Sequence, residues 1–228
     1  MPEEKKQKII NEVKNLAKLD SDFVVKYFNS WLESNHLYIQ MQFCSQNLRS
    51  LLKDKPIVFE RQPEDHMNNV FEELLECVQY LHECKPPVIH RDLKPDNILI
   101  DHNFTSNRFI KLCDFGLATD HDINKQTPSN DHTLGVGTLT YSSPEVYHYK
   151  QYNHKTDIYS LALIAEQIYS IDPQISHSSQ AIESEFKKLY DNLIQTLQSM
   201  QSSPDYKQRP ECREVLAKHN EWAIDKTQ

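Results

Sequence analysis

The sequence predicts an α+β fold with a small first part and a larger, mostly helical second part. Residues 3–19 carry apolar side chains at helical spacing, and residues 23–43 contain two runs rich in β-branched and aromatic residues. The rest of the chain alternates long helical patterns with short apolar runs. We place the boundary between the parts at residue 43, giving segments 1–43 and 44–228.

The first part is predicted to hold one amphipathic helix followed by two strands. The helix covers residues 3–19 and ends at Asp20-Ser21-Asp22. The strands cover Phe23–Trp31 and His36–Phe43, and a short polar turn joins them.

The second part is predicted to be mainly helical, with one short strand pair. Apolar residues at helical spacing mark the longest helix, with Pro63 just ahead of its start, and a very apolar run marks a helix that we expect to be buried. Between the strand pair and the buried helix, residues 114–145 show little periodicity, which is typical of a mobile surface segment. The predicted elements are a short helix at Asn47–Lys53, a helix at about 64–84, strands at Ile98–Ile100 and Ile110–Cys113, and helices at 156–171, 180–200 and 211–222.

Composition narrows the class of protein. A formal net charge of −8 argues against a dedicated nucleic-acid binder, which usually carries a basic excess. The five cysteines form no C-x-x-C pair, which favours a reducing compartment. The sequence has no apolar run near the ~18 residues needed to cross a bilayer and a polar N-terminus unlike a signal peptide. We therefore expect a cytoplasmic protein that binds neither membrane nor nucleic acid.

One run of eight residues carries the chemistry: His90-Arg91-Asp92-Leu93-Lys94-Pro95-Asp96-Asn97. Asp114-Phe115-Gly116 follows, 22 residues from Asp92 to Asp114. Two carboxylates, a carboxamide and a lysine gathered in one cleft suit magnesium-assisted transfer of a phosphoryl group to a hydroxyl. By chance, such an octamer would occur in a chain of this length on the order of 10⁻⁸ of the time, which rejects a helical scaffold with accidental motifs.

These motifs resemble those of eukaryotic-type serine/threonine protein kinases. The resemblance covers nearly the whole chain. It implies one kinase domain, in which residues 1–43 are part of the small lobe and residues 44–228 form the large lobe. Lys94, in the position where many tyrosine kinases carry arginine variants, points to Ser/Thr specificity.

The resemblance assigns catalytic roles to five residues. Asp92 would orient the acceptor hydroxyl and take its proton, and Lys94 would neutralise charge on the transferred phosphate. Asn97 and Asp114 would hold Mg²⁺ through oxygen atoms. Glu12, in the first helix, would pair with the lysine that anchors ATP. The plain alternatives are a helix-capping or turn aspartate for Asp92 and an ordinary exposed helix glutamate for Glu12.

The resemblance also places the ATP site and its framework. Met41 would be the gatekeeper, Gln42, Phe43 and Cys44 the hinge that meets adenine, and Leu99 the floor of the adenine pocket. The framework would consist of a hydrophobic column (Leu16, Tyr27, His90, Phe115), a brace for the catalytic loop (Asp157) and a buried ion pair (Glu145 with Arg209).

Regulation by phosphorylation is a further implication. Arg91 stands where an arginine usually receives an activation-segment phosphate. Thr133 is the best acceptor for that phosphate. Thr138 would contact Asp92 and Lys94, with phosphorylation as the alternative.

Several segments are similar to kinases that phosphorylate the alpha subunit of eukaryotic translation initiation factor 2, most of all their amino-acid-starvation branch. That group implies translation regulation and a protein substrate with a Ser/Thr acceptor, and it leaves open a homodimer of the intact protein. The similar segments are Leu37–Cys44 with Asn47-Leu48-Arg49, Asp114–His121, His132-Thr133, Gly135–Thr138 and Tyr141–Glu145.

The chain departs from the kinase pattern at its beginning. It has three glycines, at 116, 135 and 137, so no Gly-rich phosphate loop precedes the catalytic residues. Lys5, Lys6 and Lys8 lie beside the helix of Glu12, too close to it to act as the strand lysine. We therefore expect a fragment or truncated gene model that starts after the first three small-lobe strands. The alternative is a catalytically impaired, kinase-like binding or regulatory module.

Overall fold

The structure is a computed structural model that mixes helices with small antiparallel sheets, as the sequence predicted. No helix in the part of the chain it describes is both long and apolar enough to cross a bilayer. The described residues are 3–34, 36–53, 65–102, 108–120, 140–147, 152–169, 171, 184–202 and 205–223.

The first helix and hairpin form close to their predicted positions. Helix α1 covers Glu3–Lys18. Strands β1 (Tyr27–Glu33) and β2 (His36–Met41) pair antiparallel, with Glu33 opposite His36. Ser34 begins the turn at φ 47°, a left-handed conformation that tight hairpins require. A bulge between Tyr27 and Asn29 shifts the register near the open end of the hairpin.

The predicted first strand began four residues too early. Val24 and Val25 are buried, but they pair with a different strand, β6 (Ile110–Leu112). The amide of Val25 donates to the carbonyl of Leu112 (2.9 Å), and the amide of Leu112 donates to the carbonyl of Phe23 (2.9 Å). The run that was predicted as one strand therefore pairs with two different strands: residues 23–25 with β6, and residues from Tyr27 onward with β2. The alternation pattern of a single segment does not show which strand it will pair with.

The strand pair of the second part is present and belongs to a three-stranded sheet. Strand β5 (Ile98–Ile100) lies between β3 (Gln46–Asn47) and β6, antiparallel to both. The side chain of Asn47 also starts the next helix, because its Oδ1 accepts the amide of Ser50 (2.9 Å). A second short pair, β4 (Val88–Ile89) with β7 (Thr119–Asp120), was not predicted, since two-residue strands carry no periodic signal.

Seven further helices are described after β3. They are α2 (Leu48–Lys53), α3 (Asp65–Glu83), α4 (Pro144–Tyr147), α5 (Lys155–Tyr169), α6 (Ser184–Met200), α7 (Cys212–Leu216) and α8 (His219–Trp222).

The predicted helix at 211–222 is two short helices, so that prediction was wrong in its continuity. Lys218 leaves helical geometry (φ −101°, ψ 18°) and α8 starts after it. The bend lets the fully buried Trp222 donate its indole N–H to the carbonyl of Val215 (2.9 Å). Burial of the indole in the core outweighs continuation of the helix.

The core lies between α3 and α5 and extends to α6 and α8. Phe71 of α3 packs edge-on against Tyr169 of α5 and Trp222 of α8, at ring centroid distances of 6.0 and 5.3 Å. Ala162 and Ile158 of α5 are fully buried, in line with the apolar helix that the sequence predicted.

A buried ion pair joins α4 to the segment before α7. Nη1 and Nη2 of Arg209 donate to the two carboxylate oxygens of Glu145 at 2.6 and 2.9 Å, and both side chains are almost fully buried. This is the pair that the kinase resemblance implied. Its two-bond geometry fixes the end of the 114–145 segment to the helical core.

Candidate active site

The loop His90–Asn97 gathers its functional groups around Asp92, which is buried. Nζ of Lys94 lies 2.7 Å from Oδ2 of Asp92. Nδ2 of Asn97 donates to the same oxygen (3.1 Å) and to the main-chain carbonyl of Asp92 (2.9 Å). A short 3₁₀ helix, Pro95–Asn97, turns the chain so that Asn97 points back to Asp92. The structure thus brings together the lysine, the carboxylate and the amide of the octamer.

Asp157 of α5 anchors the beginning of this loop. Its carboxylate accepts the amides of His90 (2.9 Å) and Arg91 (3.0 Å) and a third bond from Nε2 of His82 (3.0 Å). The side chain is fully buried. Burial disfavours the charged carboxylate, yet the bond from His82 and the amide of Arg91 hold the pKa of Asp157 below its usual range. The buried, charged carboxylate of Asp157 therefore fixes the backbone at the beginning of the loop by hydrogen bonds.

Asp114 comes two residues after β6, and the preceding residue, Cys113, connects this segment to Asn97. The amide of Cys113 donates to the carbonyl of Asn97 (3.1 Å). Asp114 adopts a left-handed conformation (φ 60°, ψ 70°), and its Oδ1 accepts the amide of Gly116 (3.4 Å). The strained backbone and the glycine together turn the chain sharply after β6.

Phe115 connects this turn to the loop and to α1. Its ring lies 4.9 Å from the ring of His90, and it is buried in the same cluster as Leu16 and the partly buried Tyr27. Leu16 and Phe115 thus belong to one core cluster, Tyr27 packs against it, and His90 contacts it through Phe115.

Helix α1 is tied to the Asp114 turn by a residue that the sequence reasoning missed. Nδ2 of Asn15 donates to the carbonyls of Phe115 (3.2 Å) and Ala118 (3.3 Å). Asn15 is 9% exposed, next to the buried Leu16. The sequence feature that could have identified Asn15 is its position, as a polar residue next to the apolar stripe of an amphipathic helix.

The carboxylate of Glu12 lies near the same turn. Burial first, and then the nearby Asp114, Cys44 and Glu12, raise the pKa of the Cys113 thiol to about 12. Glu12 is half-buried on α1, and its charge acts on Cys113, the residue before Asp114. Its role in holding ATP stays a prediction.

The residues predicted to meet adenine lie at the end of β2, just after it, and in β5. Met41 and Leu99 are partly buried against the core. Gln42 donates from Nε2 to Oδ2 of the buried Asp101 (2.8 Å). Cys44 is half-buried, and burial followed by the charge of Asp101 raises the pKa of its thiol. Their contact with adenine stays a prediction.

The side chain of Arg91 forms hydrogen bonds with two other residues of the chain. Its backbone is left-handed (φ 67°), Nη1 donates to the hydroxyl of Tyr152 (2.8 Å), and Nε donates to the carbonyl of Leu117. The contact with Leu117 places the guanidinium beside the start of the 114–145 segment. Thr133 and Thr138 lie outside the described residues, so their predicted roles stay predictions.

The donor set fits a magnesium ion. The Nδ2 atom of Asn97 is committed to Asp92, which leaves Oδ1 as the atom to offer a metal. Asp114 contributes a partly exposed carboxylate from the neighbouring strand end. Carboxylate and amide oxygens are hard donors of the kind that Mg²⁺ prefers.

Comparisons with known proteins agree with this geometry. The family model described as "Protein kinase domain" matches residues 1–225. The chain is 38% identical over 141 residues to the eIF-2-alpha kinase GCN2 of Schizosaccharomyces pombe, a match that covers 56% of this chain and 8% of that protein. It is 31% identical over 233 residues to the probable serine/threonine-protein kinase nek2 of Dictyostelium discoideum, covering 95% and 53%.

A second kinase of the initiation factor is also similar. Eukaryotic translation initiation factor 2-alpha kinase 3 of Rattus norvegicus is 34% identical over 198 residues, covering 79% of this chain and 17% of that protein. The chain thus spans between 8% and 53% of the length of these three relatives. Since the kinase-domain match runs from residue 1 to residue 225 and the Asp92 loop has the expected arrangement, the chain belongs to the protein kinase family.

Proposed function

We propose that this chain transfers the γ-phosphoryl group of ATP to serine or threonine hydroxyls of a protein substrate. The observation that carries the proposal is the arrangement around Asp92, where Lys94 and Asn97 both contact one carboxylate oxygen. Phosphoryl transfer depends on positioning and charge stabilisation more than on covalent help from the protein, and this loop supplies both.

Each residue of the loop has a distinct task in the proposal. Asp92 accepts a hydrogen bond from the substrate hydroxyl and takes its proton as the new bond to phosphorus forms. Lys94 is within reach of the same point and offsets the negative charge on the phosphoryl oxygens. Asp157 acts as a positioning residue, because it holds the amides of His90 and Arg91.

Asn97 and Asp114 would hold the magnesium ion, which neutralises charge on the ATP phosphates when bound. Glu12, Met41, Gln42, Cys44 and Leu99 are proposed as the nucleotide side of the site. Residues 1–43 and 44–228 are then the two lobes between which ATP lies.

A finer proposal concerns the substrate. Two of the similar proteins are named as kinases of the alpha subunit of translation initiation factor 2. We propose that subunit as the first substrate to test. Arg91, Thr133 and Thr138 would regulate the activity, with a phosphate on Thr133 held by the guanidinium of Arg91.

The second candidate is a kinase-like module that binds partners without turnover. It is favoured by one observation: in these 228 residues no glycine precedes Gly116, and no lysine stands in β1 or β2 to anchor ATP. For this polypeptide we therefore expect weak ATP binding and slow turnover, which saturating ATP partly offsets.

The experiment is transfer of labelled phosphate from ATP, with Mg²⁺, to the alpha subunit and to a generic Ser/Thr substrate such as casein. Slow phosphorylation on Ser or Thr that requires Mg²⁺ supports the kinase proposal, and preference for the alpha subunit supports the finer one. A folded chain that transfers no phosphate at saturating ATP would instead favour the non-enzymatic module.

A further inference from the structure

A pocket of about 240 Å³ opens where the last turn of α3 meets the starts of α5 and α7. Three metal-binding side chains line it: His82 from α3, His154 just before α5 and Glu211 just before α7. One donor atom from each lies within 4.8 Å of the other two. None of the three takes part in the phosphoryl-transfer chemistry proposed above.

We propose that His82, His154 and Glu211 form a binding site for a transition-metal dication, with zinc as the best-fitting ion. Zinc takes imidazole nitrogen and carboxylate oxygen together, and three protein ligands with a water complete its four-coordinate shell. Mg²⁺ and Ca²⁺ prefer all-oxygen sites, so the two histidines select against them.

The strongest observation is an unsatisfied nitrogen on His82. Its side chain is 7% exposed, and Nε2 lies 3.0 Å from Oδ2 of Asp157. Because that carboxylate also takes two main-chain amides, it acts as the acceptor, and Nε2 carries the proton. In the neutral imidazole Nδ1 is then a buried lone pair, and within the described chain it has no hydrogen-bond partner.

A buried acceptor without a partner is unusual and costs about 1–3 kcal/mol. A metal ion at Nδ1 would satisfy it. The bond from Nε2–H to a carboxylate is also the arrangement that orients metal-binding histidines and makes them better ligands. Asp157 would therefore serve the site as the partner behind its most buried ligand.

His154 and Glu211 complete the donor set from the more open side of the pocket. Nε2 of His154 lies 2.8 Å from Oε2 of Glu211, and the rings of His154 and His82 are 4.8 Å apart. Lys155 contacts the other carboxylate oxygen of Glu211, Oε1, at 3.1 Å, which leaves Oε2 to the metal.

Binding requires only a small rearrangement. Zinc–ligand bonds of about 2.0–2.2 Å place neighbouring donors roughly 3.3 Å apart, so the donors, now within 4.8 Å of one another, must move closer on binding. The side chains of His154 and Glu211 are 24% and 26% exposed, so they can adjust more readily than the buried His82. The ion takes the place of the proton between His154 and Glu211, and that proton leaves to solvent.

The site would be linked to the catalytic loop through two contacts. The ion would hold Nδ1 of His82, and Nε2 of His82 holds Asp157, which carries the amides of His90 and Arg91. Occupancy would fix the His82 tautomer that the loop anchor needs. The proposal of a metal site does not depend on the proposed kinase activity.

The test is a titration of the 228-residue chain with Zn²⁺ against a chromophoric chelator, followed by absorption spectroscopy with Co²⁺. We expect one tight site per chain. His154→Gln and Glu211→Gln should each weaken it by at least ~10-fold, whereas His36→Gln, at an exposed histidine of β2, should leave it unchanged. His154 and Glu211 are partly exposed, so these variants test the site even where His82→Gln fails to fold.

Cobalt distinguishes this ligand set from the cysteines. Cys212 borders the same pocket, and a thiolate ligand would add an intense sulfur-to-metal charge-transfer band. We expect the spectrum of a nitrogen and oxygen site without that band. Absence of tight binding, equal affinity in wild type and both variants, or a thiolate band would each overturn the proposal.

Discussion

Replacing Asp157 with asparagine should destabilise the protein more than any other single change to an aspartate of the described site. Asparagine keeps the shape but turns one acceptor oxygen into an NH₂ group, which then faces a donor. At least one of the three donors from His82, His90 and Arg91 loses its partner in a fully buried place. Removing the charged member of such a buried set costs about 3–5 kcal/mol.

The assay is thermal and urea unfolding followed by circular dichroism, with a chelator present. A loss of this size lowers the midpoint of a domain this long by roughly 6–20 °C. Asp96→Asn is the matched control, because Asp96 lies in the same loop, is exposed and pairs with Arg49 at 3.0 Å on the surface. Such a pair contributes about 0–1 kcal/mol. Equal losses in the two variants would refute the anchoring role of Asp157.

The pH dependence of stability provides an independent test of the role of Asp157. The folded-state pKa of Asp157 lies below that of an unfolded aspartate. Its contribution to stability is therefore present above about pH 4 and is lost as the pH falls through the folded-state value. The difference in unfolding free energy between wild type and Asp157→Asn should shrink below pH 4. A difference that is constant from pH 3 to 7 would contradict the assignment of the charge.

Three other predictions concern contacts away from Asp157. Arg209→Met leaves Glu145 buried without its partner and should cost about 3–5 kcal/mol in urea unfolding, whereas a loss under 1 kcal/mol would contradict the pairing. Asn15→Leu removes two bonds between α1 and the turn after β6, so hydrogen exchange in α1 should speed up by about 5–30-fold, and unchanged exchange would refute the tether. Phe28 and Leu32 are 54% and 71% exposed on the hairpin, so this polypeptide should self-associate, and replacing both with serine should reduce association in sedimentation velocity; a wild-type chain that stays monomeric at high concentration would contradict this.

The sequence predicted best what lies close together along the chain. Asp92, Lys94 and Asn97 stand within six positions, so their convergence needed only a tight turn, and Pro95 supplies it. Contacts across the chain from Asp157 and Arg209 were expected only because the motifs resemble protein kinases. Nothing in the local pattern of α5 identifies Asp157 as the partner of a loop that lies 66 residues away.

Other features depended on tertiary packing and were missed or misplaced. Val24 and Val25 continue an alternating run, but their backbone pairs with β6 because that strand lies within reach in the folded core. Helix α8 breaks from α7 so that Trp222 can be buried. The cluster of His82, His154 and Glu211 comes from three elements distant in sequence, and no spacing rule brings such residues together.

The central claim is that Asp92 is the base of a phosphoryl-transfer site, and one rate ratio tests it most directly. The measurement is the initial rate of phosphate transfer to a Ser/Thr substrate at saturating ATP and Mg²⁺, for wild type, Asp92→Asn and Asp96→Asn. Asp92→Asn should lower the rate by about 10²–10⁴-fold, while Asp96→Asn, four residues along the same loop, should stay within a few-fold of wild type. Equal rates for wild type and Asp92→Asn in folded protein would contradict the account.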